Sequence, residues 1–306
     1  MKGLNVMHII KFNGGVGNQL FQYAFYKYCQ DNGVLVSADL SEYNRKKIHG
    51  GFLLDKMLPC NTLEVTRCDV EEFYRNLTLP EKVCNKIFHH VGKHYYEEYF
   101  RNADKIIPFL KKEQSCYLDG WWQYKNMALS EANYIQTEML NIEDCTSPDR
   151  NELLRAMYEG ESVSVHIRRG DYLDASTVYG NICTEAYYDA AFNAIKERVG
   201  NPVFYIFSDD EEYCRAKFAN KNVVVVSAAS SDKAYMDIIL MSKCKHHIVA
   251  NSSFSWWGTA LSDKKGVIIV PSRHNNRMIG NPLAFDGSLI FDNAGQHIGV
   301  CQGQEE

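Results

Sequence analysis

The order of apolar and polar positions divides the chain into an irregular first half and a regular second half. From Met7 to Phe12 a short apolar run reads as a strand, followed by the glycine-rich stretch Asn13 to Asn18. Gln19 to Asp31 then carries apolar residues at helical spacing, and Val34 to Ala38 reads as a second strand after Gly33, which sits where a helix C-cap belongs. Between Ser41 and Met139 the pattern loosens into charged and aromatic segments, including Tyr95 to Phe100 and Trp121 to Tyr124, that read as helices. The polar stretch Asn141 to Asn151, with Pro148 and several capping residue types, is the best linker. Beyond it, strands Val163–Ile167, Val203–Phe207, Val223–Val226, His247–Ala250 and Val267–Val270 alternate with helices Glu185–Arg198, Glu211–Phe218, Lys233–Lys243 and Phe254–Leu261. Short β-branched runs alternating with helices predict an α/β fold with a parallel sheet covered on both faces. Ligands of such sheets bind in the loops beyond the carboxyl ends of the strands.

With 306 residues the chain is long for one core, so two domains are expected, 1–150 and 151–306. Hydrophobic residues at 45% and charged residues at 23% fit an ordinary folded protein. The formal net charge of -5 gives no overall attraction to polyanions, which argues against nucleic acid or an acidic membrane as the main partner. Ten cysteines without a C-x-x-C pair read as scattered reduced thiols rather than a disulfide framework or zinc site. Met1 to Ile10 lacks a signal-peptide pattern and no apolar run reaches the roughly 18 residues that span a bilayer. A cytoplasmic protein without a transmembrane segment is the expectation, and peripheral attachment at an inner membrane is compatible with it.

Four loops carry chemistry. The first, Gly14-Gly15-Val16-Gly17-Asn18-Gln19, is open to three readings: a tight turn needing glycine dihedrals, a cradle of backbone amides facing an anion or sugar, or half of a dinucleotide fingerprint completed by Asp39. Leu20 at the third glycine position weakens the fingerprint, and the missing Gly-Lys-Ser/Thr excludes a P-loop. The second is His166-Ile167-Arg168-Arg169-Gly170-Asp171. Adjacent arginines after a buried strand need an anion or carboxylate; one can grip phosphate while the other pairs with protein, for which Asp171 is the nearest candidate. The third, Phe207-Ser208-Asp209-Asp210, either accepts from a guanine edge or ribose hydroxyl or caps a helix through Ser208 or Asp209. The fourth, Asn251-Ser252-Ser253-Phe254-Ser255-Trp256-Trp257, places hydroxyls and amides at a helix start, a phosphate cradle that needs no metal, with the tryptophans assigned to packing.

Taken in order, Gly14 to Tyr23, His166 to Tyr172, Phe207 to Asp210 and Asn251 to Trp257 resemble the motifs of α-1,2-fucosyltransferases, glycosyltransferase family 11. The arginine motif is shared with α-1,6- and protein O-fucosyltransferases, whereas the first and last favour the α-1,2 group. The resemblance implies a GT-B-like fold, two Rossmann-like domains facing across a cleft, with an acceptor-side N-terminal domain and a GDP-fucose-binding C-terminal one. It implies an inverting transfer of L-fucose from GDP-β-L-fucose to the 2-hydroxyl of a galactose-terminated glycan, with no metal and no cofactor. It places Arg168 on the β-phosphate with Arg169 in support, His166 and Asp209 near the guanosine, and Ser252, Ser253 and Phe254 at the phosphate end. Gly15, Gly17 and Asn18, together with Gln19, approach from the N-terminal side. Asp171, Asp174, Asp39 and His166 are candidate bases by chemistry. A nucleotide-sugar-sensing module and a nicotinamide-dependent oxidoreductase are the competing readings.

Overall fold

A computed structural model describes residues 7–45, 49–58, 63–65, 95–97, 103–112, 115–138, 148–174, 177–218 and 222–303. The chain forms two compact units, Met1–Leu140 and Asn141–Glu306. In the first, strands β1 (Met7–Lys11), β2 (Leu35–Asp39), β3 (Tyr95–Glu97) and β4 (Tyr117–Asp119) make a parallel sheet in the order β2-β1-β4-β3. Helices α1 (Val16–Asp31), α2 (Ser41–Arg45), α3 (Leu54–Met57), α4 (Ala103–Leu110) and α5 (Lys125–Glu138) accompany it. Helix α1 buries Leu20, Phe21, Tyr23, Phe25 and Tyr26, and Phe25 stacks on Trp122 with ring centroids 4.1 Å apart.

Three expectations for this unit are corrected. Trp121 to Tyr124, read as helical, lies outside any helix or strand, with α5 starting only at Lys125 and Trp122 at φ +52°. The helix predicted from Gln19 begins at Val16, inside the glycine-rich stretch, because the Gly15 carbonyl already accepts from the amides of Asn18 and Gln19. Tyr95–Glu97, read as helical, is a strand paired in register with Tyr117–Asp119. Glu98 to Phe100 and most of the linker stretch Asn141 to Asn151 lie outside the described residues, and helix α6 (Pro148–Glu159) runs across position 150.

The second unit contains β5 (Ser162–Ile167), α7 (Glu185–Arg198), β6 (Val203–Ser208), α8 (Glu211–Lys217), β7 (Val223–Val225), α9 (Tyr235–Ser242), β8 (His246–Ile248), α10 (Ser253–Ala260), β9 (Ile268–Pro271), β10 (Leu289–Phe291) and β11 (His297–Val300). Its sheet order is β11-β10-β9-β8-β5-β6-β7, parallel throughout except for β11. The chain therefore winds outward from β5 through β6 to β7, then returns to the other side of β5 at β8. That reversal makes the β5–β8 boundary the topological switch point, where an open α/β sheet leaves a crevice for ligands. Helix Glu185–Arg198 has its predicted bounds, whereas the helix predicted from Lys233 begins at Tyr235 after a 3-10 turn Ser231–Lys233.

Strand β5 shows how sequence sets the faces. Val163, Val165 and Ile167 join a core with Tyr187, Tyr188, Phe192, Ile195 and Phe204. By the two-residue period, Ser162, Ser164 and His166 point to the opposite face, where Ser164 Oγ meets His247 Nδ1 at 2.7 Å. Register aligns the strand ends: Ile167 stands opposite Ser208, and Val165 opposite Ile248. The loops after β5, β6 and β8 thus emerge on one rim.

Candidate functional site

Three of the four motif loops meet on that rim. Arg168 Nη1 lies 3.1 Å from Asp209 Oδ2, and the Arg169 amide donates to Asp209 Oδ1 at 2.8 Å. Arg169 Nε donates to Asp210 Oδ2 at 3.0 Å, and its guanidinium lies 3.4 Å from the centroid of the Tyr213 ring. Tyr213 is fixed in turn: its hydroxyl donates to Glu185 at 2.7 Å, and Glu185 also takes Lys217 at 2.7 Å. Both arginines pair with protein, and the carboxylates that meet them are Asp209 and Asp210, where Asp171 was the nearest candidate along the chain. Asp171 itself falls in the 3-10 turn Gly170–Tyr172. The capping expectation for Ser208 or Asp209 moves by one residue, because Asp210 caps α8, accepting from the Tyr213 amide at 3.1 Å.

On the other lip, Ser252 caps α10, its Oγ accepting from the Phe254 amide at 3.3 Å. Ser252, Ser253 and Phe254 are half-buried at this helix start, where backbone amides and the helix dipole favour an anion. His166, nine-tenths buried at the end of β5, lies with its ring 5.3 Å from that of Phe254, and its Nδ1 has no partner among the described residues. Burial, aided by the Arg168 guanidinium, pulls the His166 pKa down to about 3, so the ring is neutral at physiological pH. A neutral imidazole offers one donor and one acceptor to a ligand edge. The Tyr172 hydroxyl donates to the Asn251 carbonyl at 3.2 Å, joining the two lips, and the Tyr172 ring lies 5.7 Å from the Arg168 guanidinium carbon. A cavity of about 350 Å³ opens beside Arg168, Arg169, Tyr172, Asn181, Glu185 and Tyr213, within the size range of small-ligand sites.

The first motif lies in the other unit. Gly15 is the N-cap of α1 through its backbone, Gly17 is buried in the first turn, and Asn18 Oδ1 accepts from Gln123 Nε2 at 3.1 Å. Gly14 has φ +76°, and a Cβ there would stand 2.9 Å from both Asn18 Nδ2 and Trp121 Cζ3, so a left-handed turn and a close approach both require glycine. Gln19 is committed elsewhere: its Nε2 donates to the carbonyls of Gly14 at 3.1 Å and Gly51 at 2.9 Å, and its Oε1 accepts from Leu53 N at 2.8 Å. Asp39, read as a ribose-binding acid under the nicotinamide hypothesis, is buried. Its carboxylate accepts from the Ser41 amide and hydroxyl and from Tyr117 OH at 2.8 Å.

Tyr213 and Glu185 are not singled out by the sequence, and Asp210 and Tyr172 stand in its motifs without an assigned role. The run Asp210-Glu211-Glu212-Tyr213 carried a helix-start signal, but nothing local marked Tyr213 as the platform for Arg169. Among the described residues no group of histidine, cysteine and carboxylate side chains has a metal-holding arrangement. The six described cysteines are free, and no helix there is long and apolar enough to cross a membrane.

Two α/β units, the second carrying the arginine loop and a capped helix start on one rim of an open parallel sheet, place the chain in the GT-B-like fold class. Residues 75–280 match the model of glycosyl transferase family 11, and the chain belongs to that family. An α-1,2-colitosyltransferase of Escherichia coli is 32% identical over 282 residues, covering 86% of this chain and 91% of its own. A galactoside α-(1,2)-fucosyltransferase 1 of Ateles belzebuth is 29% identical over 177 residues, covering 54% of this chain and 46% of its own. The fold is also that of a solved Arabidopsis thaliana FUT1 variant in complex with GDP, with TM-score 0.51 and 12% identity over 90% of this chain and 72% of that one.

Proposed function

We propose that this protein transfers L-fucose from GDP-β-L-fucose to the 2-hydroxyl of a terminal galactose on a glycan acceptor, inverting the β-linked donor to an α-linkage. The observation that carries the reading is the shared rim on which the Arg168 loop and the Ser252-capped helix open at the switch point. As the glycosidic bond breaks, the sugar gains oxocarbenium character and negative charge appears on the β-phosphate. Arg168 and the amides at the start of α10 stabilise that charge, the task a divalent ion performs in metal-dependent enzymes. His166 and the half-buried Phe254 line the donor side, and Arg169 supports Arg168 from its protein-held position. Gly15, Gly17 and Asn18 are the sugar-binding candidates of the N-terminal unit, which selects the acceptor. Asp171 is the proposed proton acceptor for the incoming hydroxyl.

The test is purified protein with GDP-fucose and a set of β-galactosides, following GDP release and determining the product linkage by NMR. Turnover that survives EDTA and an α-1,2 product are expected; GDP binding without transfer to any galactoside would refute the reading. The similarity to a colitosyltransferase favours a second donor, one carrying colitose in place of fucose. The ratio of kcat/KM for the two donors decides between them.

A further inference from the structure

We infer that Asp209 is the positioning residue of Arg168: the carboxylate aims the guanidinium rather than touching the nucleotide. The inference rests on the phosphate role proposed for Arg168. Its basis is the register of the rim. Because Ile167 stands opposite Ser208, Asp209, the residue that follows β6, emerges beside the arginine loop that follows β5. There the carboxylate makes two charge-assisted contacts, through Oδ2 to the Arg168 side chain at 3.1 Å and through Oδ1 to the Arg169 amide at 2.8 Å. One acid thereby fixes both the path of the loop and the direction of its first arginine.

Gly170 supplies a separate observation. A Cβ at this position would stand 2.8 Å from Asp209 Oδ2, and Gly170 is not among the glycines with positive φ. The reason for glycine here is the approach of the carboxylate, not a dihedral that only glycine adopts. Other duties of Asp209 are filled by neighbours. Asp210 caps α8 and pairs with Arg169, and the ion pair of Arg168 is too exposed to add much to stability. Tyr172 bounds the same guanidinium at 5.7 Å from its ring centroid. A side chain held between a carboxylate and an aromatic ring has few rotamers left, which is the preorganisation a charge-stabilising donor requires.

A double-mutant cycle separates aiming from direct contact. Asp209→Asn keeps an acceptor for the Arg169 amide but sets an NH₂ against the guanidinium when the amide is so oriented. The expected loss in kcat is on the order of 100-fold, the effect of an ångström-scale misplacement, with the acceptor KM unchanged. In an Arg168→Ala background the same substitution is expected to cost less than about twofold, because its target is gone. Gly170→Ala presses on the carboxylate from the other side and should likewise lower kcat only while Arg168 is present, so the inference survives a poorly folding Asp209 variant. An equal fold-loss from Asp209→Asn in both backgrounds would overturn it and make the acid a direct ligand. Wild-type turnover of GDP-fucose tests the proposed function separately. Should the wild type bind GDP without transferring sugar, the cycle is read in GDP dissociation constants with the same two outcomes. Absence of both transfer and GDP binding would remove the reading and the inference together.

Discussion

Replacing Arg168 by alanine separates a catalytic arginine from a structural one, since the two roles differ in size. The Arg168 side chain is 35% exposed and its Asp209 partner 26% exposed. At such exposure an ion pair contributes about 0–1 kcal/mol, and the distant contact with Tyr172 adds at most about 0.5–1 kcal/mol. Asp209 keeps the Arg169 amide in the variant, so no acid is left without a donor. The stability loss should stay near 1 kcal/mol, a shift of about 2–4 °C in Tm for a chain of this size class. Removing one preorganised donor to a developing oxyanion costs about 2.7–4 kcal/mol of transition-state stabilisation, a fall in kcat of about 100- to 1000-fold. Arg168→Lys keeps the charge but not the planar fork and should fall between wild type and alanine. GDP release with a saturating galactoside acceptor gives kcat, and calorimetric or fluorimetric melting gives Tm. Near-normal turnover with a lowered Tm would refute the reasoning and make Arg168 a surface brace.

Burial pulls the pKa of His166 and His247 down to about 3 and of His274 to about 4, so below pH 6.5 the unfolded chain binds protons that the folded one does not. Stability should be fully present above pH 6.5 and decline as pH falls toward 4, each histidine adding about 1.4 kcal/mol per pH unit; in His247→Gln the urea-derived slope between pH 6 and 5 should drop by that amount, and an unchanged slope would count against it. Gln19→Leu should strand the buried Leu53 amide and cost about 1–3 kcal/mol by chemical denaturation while leaving kcat per folded molecule intact, and a selective loss of kcat would return Gln19 to the site. Tyr172→Phe removes only the hydroxyl that reaches the Asn251 carbonyl. It should lower kcat about tenfold, an effect smaller than an ångström-scale misplacement, with Tm little changed; unaltered kinetics would mean that the two lips do not need this tie.

The second sheet was legible because its residues alternate in kind as well as in hydrophobicity. Val163, Val165 and Ile167 against Ser162, Ser164 and His166 mark two faces of one strand, and Thr184 before Glu185 gives α7 a side-chain cap that fixes its start. The elements missed or misread lack such signals. β3 and β4 span three residues each and gain their conformation from pairing, while β10 and β11 are short, and β11 is an edge strand with exposed Ile298 and Val300. Helix α1 begins inside a glycine-rich run because burial of Val16 and the Gly15 carbonyl bonds outweigh the poor helix propensity of Gly17. The arginine loop was recognisable as one that needs a negatively charged partner. Its partners were not, since Asp171 is near in sequence while Asp209 and Asp210 are brought close only by strand register.

That register has a chemical consequence. Arg168 and Arg169 carry two positive charges and Asp209 and Asp210 two negative ones, so the cluster is neutral overall in a chain whose formal net charge is -5. On the proposed reaction a diphosphate would therefore meet no strong attractive field from this part of the rim. It would meet orientation: a guanidinium held by the Asp209 carboxylate and the amides at the start of α10. Such a site gains most when charge concentrates on one oxygen, as the β-phosphate does when the sugar departs, and gains less from a donor whose charge is spread over two phosphates. On the proposed reaction, carboxylates that weaken the arginines as anion binders while holding the guanidinium still would favour the transition state over the ground state.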